Sequence, residues 1–405
     1  MKTFRILIAA FMLTAMFACQ AQKETESTDQ KAKYIFLFIG DGMGHSQMAL
    51  AESYLSYKAD KLGGEQLSFT QFPYLGTCTT HSMDWSVTCS SAAGTAIATG
   101  TKTNNNYLGV DVNGEPLESI AFQLKRDGYK IGIMSSVQVN HATPASFYAH
   151  NIDRGDYYEI SKEIAQSGFE FFGGSGFYRP RGKEGNDQPT NEYLEERGYK
   201  VCYGTQEFNS NASTTEKIVF IQENGREDTD FYEANGATAE EIGTDQMLSL
   251  ALNYLGDEKP FFIMCEGGEI DWAAHGNKTM STVYEILDMD AAVKVALEFY
   301  EKHPEETLII VTADHATGGV TLGQGPDWIP ENFRWDLLEQ EWISSGGHSK
   351  LTKEENKALN DRSQIGWTTN NHTGEPVPIY AVGKGAEKFC GRMDNTDIKG
   401  KILGE

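Results

Sequence analysis

The residues in this 405-residue chain with the types and spacing to do chemistry are a small set of acids and histidines, standing where apolar runs give way to glycine. In FFIMCEGGEIDWAAH (residues 261–275) an unbroken apolar run with aromatic and β-branched members reads as a buried strand, ending at Glu266 in a Gly-Gly break. Asp271 and His275 follow, four residues apart, which places both on one face of a helix opening at Asp271. A carboxylate and an imidazole so placed can grip a divalent ion of the zinc class, while Glu266, one loop away, suits a harder, oxygen-preferring ion. Asp314 and His315 form a second pair at the end of the run 307–312, just before another Gly-Gly turn. Asp41, between Gly40 and Gly42, ends the first apolar run at the position where open parallel sheets place their ligands. His372 lies just ahead of a strand. His348 competes for that role, but it precedes a capping-box start at Thr352 and Glu355 inside an insertion-like segment, so His372 is preferred.

Around these acids lie groups suited to an anion. After Val87-Thr88-Cys89 the residues become uniformly small, a poor helix by propensity unless something must pack tightly against it. Ser90 would begin that helix, where unpaired N–H groups and the dipole attract a phosphate-like group and a metal-activated hydroxyl can attack it. A plain N-cap serine is the bland alternative, and this argument does not separate Ser90 from Ser91. In HATPASFYAHNIDR, Thr143 precedes Pro144 and reads as a helix cap whose hydroxyl can also meet a metal. His141 is a candidate ligand, His150 faces core or solvent, and Arg154 can fork onto two phosphate oxygens.

The elements that must position these groups alternate between strand and helix patterns, which predicts an α/β fold with a mostly parallel central sheet and helices on both faces. Helices are expected over residues 117–125, 238–255 (with Thr238 and Glu241 in capping-box register) and 283–303, and strands over 129–134 and 307–312. Residues 33–405 read as one large catalytic domain, with 323–366 a lid-like insertion near the site. Residues 1–18, with Lys2, Arg5 and a short apolar stretch, read as an export signal. Ala18-Cys19 resembles a lipoprotein cleavage site, and residues 20–32 form a polar tether, so an exported periplasmic or outer-membrane-associated lipoprotein is expected. The other five cysteines show no disulfide framework. Net charge is -24, and loss of residues 1–18 would leave 32 basic residues against 58 acidic, -26. That balance, with no basic cluster, argues against nucleic acid; bound divalent cations would offset part of it.

Taken together, Asp41, Glu266, Asp271, His275, Asp314, His315 and His372 suffice for two zinc-like sites and one harder site, with a serine at a helix N-terminus between them. Two metals about 4 Å apart clamp the attacking and leaving oxygens of an in-line phosphoryl displacement.

The ordered set GDGMG, VTCS with its small-residue helix, HATP…AHNIDR, EGGEIDWAAH, TADHATGG and HTGEPVPIYA covers nearly all of residues 33–400 and resembles the motifs of the alkaline phosphatases. The resemblance implies that Ser90 becomes a phosphoserine and that phosphate monoesters are hydrolysed in two in-line steps with an alkaline optimum. It implies one zinc on Asp271, His275 and His372 and a second on Asp41, Asp314 and His315. A third ion, usually magnesium, would lie on Asp41, Glu266 and Thr143, with Arg154 on the non-bridging oxygens; a homodimer is also implied. Cys89 stands where the family commonly has an Asp that steadies the arginine. His141 and Trp272 stand where some bacterial members carry Asp and Lys, which shifts the third site's preference toward zinc; His141 is expected just behind the ligands. A sulfatase would need Pro and Arg after its nucleophile, and CSSAA has neither. A phosphodiesterase of the same superfamily and a non-catalytic metal- or phosphate-binding lipoprotein are the competing readings, and intact Ser90 and Arg154 oppose the latter.

Overall fold

The computed structural model describes residues 31–223, 242–324, 332–347 and 350–405. Along it the strands are β1 (Tyr34–Gly40), β2 (Tyr74–Thr79), β3 (Lys130–Ser135), β4 (Phe171–Gly174), β5 (Lys200–Tyr203), β6 (Ile218–Ile221), β7 (Phe261–Gly267) and β8 (Thr307–Ala313). Four short pieces follow, β9 (Ala316–Thr317), β10 (Val320–Leu322), β11 (Ile365–Trp367) and β12 (His372–Thr373), and then β13 (Val377–Gly383) and β14 (Gly391–Asp394).

Ten strands make one sheet in the order β14-β2-β13-β8-β1-β7-β3-β4-β6-β5. All its pairings are parallel except those of β13, which runs against both β8 and β2. Every residue of β1, β7 and β8 is buried, because a parallel strand is covered on both faces, and that is why these runs are continuously apolar. The helices fall into two groups that cover the sheet. His45–Lys58, Thr244–Leu255 and Thr279–Tyr300 pack together, and Ser90–Thr99 packs on Ala142–Ala145 and Asp397–Leu403.

Among the described residues between β10 and β11, two helices are anchored on the rest of the fold. Trp335, Leu338 and Trp342 of the helix Trp335–Ser344 join Leu50, Tyr54, Met280 and Val283 in a second apolar cluster beside the main core. The helix Lys353–Arg362 begins with the expected capping box at Thr352 and Glu355. Its Asn356 reaches the Gly276 and Asn277 carbonyls, just past His275.

Several expected boundaries shift. The helix near 117–125 is Ile120–Arg126, because the Ser119 hydroxyl accepts the Phe122 N–H and fixes its start. The long helix is Thr279–Tyr300, not 283–303. The helix expected at 238–255 is described from Thr244, after Gly243; the proposed cap at Thr238 and Glu241 lies outside the described residues, as do residues 1–18, Cys19 and His348. Thr143 is not a cap: the short helix Ala142–Ala145 starts after His141, so Thr143 lies inside it, and Pro144 is tolerated where first-turn N–H groups need no helical partner. Among the described residues, no helix is long and apolar enough to cross a membrane.

Candidate active site

Sheet register decides which acids meet. Ile39 is level with Glu266 on one side and Thr312 on the other, and Glu266 is level with Ser135. Asp41 and Asp314 therefore leave the sheet at the same height and Glu266 two residues below them, at the carboxyl ends of three adjacent parallel strands. Because β13 alone is reversed, the chain that enters it, not the chain that leaves it, lies at this end, and His372 arrives with it. The small ladder β9–β12 then fixes it, pairing His372 with Thr317.

Three clusters result: Asp271, His275 and His372; Asp41, Asp314 and His315; and Asp41, His141 and Glu266. In each, one potential ligand atom per residue lies within 4.8 Å of the others. The histidines of the first two are oriented alike. His275 Nδ1 donates to the Asn370 carbonyl at 2.5 Å and His372 Nδ1 to the Thr88 carbonyl at 2.8 Å, so both present Nε2 inward, 3.2 Å apart. His275 Nε2 is also 3.2 Å from Asp271 Oδ2. His315 Nδ1 lies 3.3 Å from Thr317 Oγ1, and its Nε2 is 3.2 Å from Asp41 Oδ1 and 3.3 Å from Asp314 Oδ2. The His315 and His372 rings stack with centroids 3.6 Å apart, so the two clusters adjoin.

This donor set fits cations. Asp41 Oδ1, Asp314 Oδ2 and Glu266 Oε1 are buried without a hydrogen-bond partner, a costly state that a coordinated ion relieves. In the metal-free protein the strain shows in the proton affinities. Burial, then the charges of Asp314 and Asp271, push Asp41 far above the carboxylate range. Burial and Asp271 push Asp314 up to about 8, and burial pushes Glu266 up to about 7 against the bonds from Ser135 and Thr143. Burial also acts to raise Asp271, but the His275 bond and the fields of His315 and His372 outweigh it and hold that carboxyl low. His315 is held neutral by burial and by His372.

Ser90 is buried at the first position of the helix Ser90–Thr99, and its Oγ lies 3.4 Å from His315 Nε2. The Ser91 hydroxyl faces Cys89 Sγ instead, at 3.1 Å, so the two serines left open by the sequence point to different neighbours. The small residues of this helix have a packing reason: a Cβ on Gly94 would stand 2.7 Å from Ser146 Oγ of the facing chain. Arg154 donates its backbone N–H to the Asn106 carbonyl at 2.9 Å, and its Nη2 lies 3.3 Å from His141 Nε2. Cys89 Sγ accepts the Asn106 N–H at 3.2 Å, so it meets the arginine's segment through Asn106. Burial would raise the Cys89 thiol, but Arg154, Asn106 and Ser91 outweigh it and leave it below its usual value.

His141 is closer to the third cluster than the sequence reading had it. It is buried, burial and Arg154 lower its pKa to about 3, and its ring stands edge-on to Trp272 at 5.5 Å. Thr143 Oγ1 donates to Asp41 Oδ2 at 3.4 Å. His150, by contrast, binds Glu163 and the Leu117 carbonyl, away from the cluster residues. Sequence reasoning passed over Ser135, whose hydroxyl donates to Glu266 Oε2, and Thr317. The only signal available was position: each is a small hydroxyl residue at the end of a strand that carries or adjoins a candidate ligand.

The family profile described as "Alkaline phosphatase" matches residues 32–172 and 183–403. "Alkaline phosphatase 4" of Bacillus subtilis (strain 168) is 31% identical over 458 residues, covering 98% of this chain and 95% of its own. The structure of alkaline phosphatase from the Antarctic bacterium TAB5 superposes with a TM-score of 0.73 at 29% identity, covering 92% of this chain and 98% of its own. A histidine-to-aspartate variant of the TAB5 enzyme, described with magnesium bound in its M3 site, gives 0.71 at 29% identity, covering 92% and 97%.

Proposed function

The chain belongs to the alkaline phosphatase family and is a phosphoric monoester hydrolase, and on that premise we propose that Ser90 is its nucleophile and Arg154 its clamp on the phosphoryl group. The observation that carries this reading is the Ser90 hydroxyl, 3.4 Å from His315 Nε2, at the N-terminus of a helix and beside a buried cluster of cation ligands. Zinc would be held by Asp271, His275 and His372 and by Asp41, Asp314 and His315; magnesium would be held by Asp41, Glu266 and Thr143, with His141 tilting that site toward zinc. Bound there, such ions lower the pKa of attacking oxygens and draw charge from the phosphoryl oxygens.

The protein's own groups do the rest. The helical bonds of Ser90–Thr99 begin only with Ala93 N–H to Cys89 O and the Ala92 N–H turns to Cys89 Sγ, so the N–H groups of Ser90 and Ser91 would be the ones to meet the phosphate. Ser90 Oγ gives up its proton and forms a bond to phosphorus as the ester O–P bond breaks and the leaving oxygen takes up a proton. In the second step a water oxygen gives up a proton and bonds to phosphorus, the Oγ–P bond breaks, Oγ regains a proton, and free phosphate departs. Arg154 supplies two parallel N–H donors to the non-bridging oxygens in both steps. Export on residues 1–18, lipid attachment at Cys19 and a homodimer are proposals of the same reading.

The test is turnover of 4-nitrophenyl phosphate before and after chelation, with bis(4-nitrophenyl) phosphate in parallel. Activity on the monoester should vanish with chelator and return with zinc. Chelator-resistant turnover, or a diester turned over faster than the monoester, would sink the reading.

A further inference from the structure

We propose that Thr317 is a positioning residue whose single hydroxyl holds the two zinc clusters in register with each other; this rests on the proposed two-zinc reading. Thr317 Oγ1 donates to Asp271 Oδ1 at 2.5 Å. With its proton committed there, the oxygen serves His315 Nδ1–H, 3.3 Å away, as an acceptor, which fixes the tautomer that leaves Nε2 bare toward Asp41 and Asp314. One oxygen thus orients a carboxylate of one cluster and an imidazole of the other. The backbone of Thr317 pairs with that of His372, a third ligand, in the β9–β12 ladder.

The hydroxyl is fully buried and its place is tightly enclosed. Gln47 Nε2 donates to the Thr317 carbonyl at 2.5 Å. A Cβ added to Gly42, whose φ is +70°, would come within 2.8 Å of Thr317 Oγ1 and 2.9 Å of Asp271 Oδ1, so the glycine after Asp41 leaves room for this bond. Partners that orient metal ligands typically change metal affinity by roughly 10- to 100-fold when removed.

The test is zinc titration of the metal-free protein against a chromophoric chelator, with melting midpoints of the metal-free and zinc-loaded forms. Thr317→Val and Thr317→Ala should weaken both zinc-binding steps by roughly 10- to 100-fold, with the zinc-loaded midpoint falling further than the metal-free one, so that the zinc-induced rise is reduced. Thr317→Ser should restore the parent's affinity. Parent-like binding in either hydroxyl-free variant, loss at one step only, no rescue by serine, or a metal-free midpoint that falls as far as the zinc-loaded one in both variants would overturn the proposal. Uptake of fewer than two zinc ions by the parent would instead sink the two-zinc reading itself.

Discussion

The cluster Asp41, Asp314 and His315 and the cluster Asp271, His275 and His372 adjoin, yet they are built in different ways. The first hangs from the ends of β1 and β8, and all three of its side chains are 0% exposed. The second is assembled from the short helix Glu269–His275 and a two-residue strand, with side-chain exposures of 6%, 38% and 16% in the same order. The first carries two carboxylates and one imidazole, the second one carboxylate and two imidazoles. A sheet therefore supplies a closed, highly charged seat that is strongly disfavoured without an ion. Chain segments laid across its end supply an open seat whose neutral donors tolerate vacancy better.

Ser90 belongs to the closed side of this comparison, and replacing it gives the largest expected effect. Ser90→Ala should lower kcat by at least about 10⁴-fold, as removal of a nucleophile does elsewhere, while the metal content measured on the purified protein stays at the parent's value. Ser91→Ala, whose hydroxyl meets Cys89, should cost less than about tenfold. The opposite ranking would move the nucleophile and break the assignment of Ser90 to the buried cluster.

Metal removal tests the two seats directly. During timed dialysis against a chelator, one equivalent of zinc should leave well before the other. His275→Ala should abolish the early phase and lower zinc affinity by two or more orders of magnitude, more than the roughly 10- to 100-fold expected for an outer partner. Asp314→Asn should instead remove the slow phase. Simultaneous loss of both ions from the parent would show that the difference in burial does not control release.

The closed seat was the more legible of the two in the sequence. Apolar runs ending in Gly-Asp-Gly and Ala-Asp-His marked β1 and β8, and a parallel sheet brings such ends together without further information. The open seat was less so, because His372 reaches the site only through the reversed β13 and the β9–β12 pairing, neither of which leaves a local pattern. Ser90 and Ser91 were inseparable for a similar reason: which hydroxyl faces inward depends on the rotation of the whole helix against Ala142–Ala145, and that is fixed by Gly94 meeting Ser146. Thr143 looked like a cap because Pro144 follows it, but His141 takes the cap position, and this brings the His141 ring toward Asp41 and Glu266.

The charge of the closed seat also predicts a pH dependence in the metal-free protein. Carboxyls raised above their unfolded values bind protons that the unfolded chain has lost, so their contribution to stability declines as pH rises toward the folded pKa. Below about pH 6.5 the depressed His141 and His315 oppose this trend, since there the unfolded chain protonates its histidines and the folded one does not. Between about pH 6.5 and 8 that opposition is gone, while Asp314, with its pKa near 8, remains protonated and Asp41 is pushed in the same direction by burial and by the charges of Asp314 and Asp271. Metal-free stability in urea should therefore fall across this window, by roughly 1.4 kcal/mol per pH unit for each such carboxyl, and zinc should flatten the slope. A metal-free protein that gains stability over the same range would show that these acids are not buried as described.

The smallest expected effect lies where the comparison blurs, at the third cluster, which shares Asp41 with the closed seat but reaches Arg154 through His141. His141 Nε2 accepts from Arg154 Nη2, while Nδ1 is buried and unpartnered. The ring thus stands between a cation site and the arginine that would clamp phosphate. Replacing it should act on both, without touching Ser90 or either proposed zinc seat. His141→Asn is expected to raise KM for 4-nitrophenyl phosphate by about three- to tenfold, in line with the roughly 0.5–1.5 kcal/mol net worth of one ordinary hydrogen bond. It should leave two zinc ions bound, and it should shift the preference of the third ion from zinc toward magnesium because an imidazole has been exchanged for an amide oxygen. Metal analysis after dialysis against both ions, alongside kcat and KM, separates the outcomes. A fall in kcat with KM unchanged would place His141 in the chemistry and not beside the clamp, and loss of a zinc ion would mean that Asp41 depends on the third cluster for its own orientation.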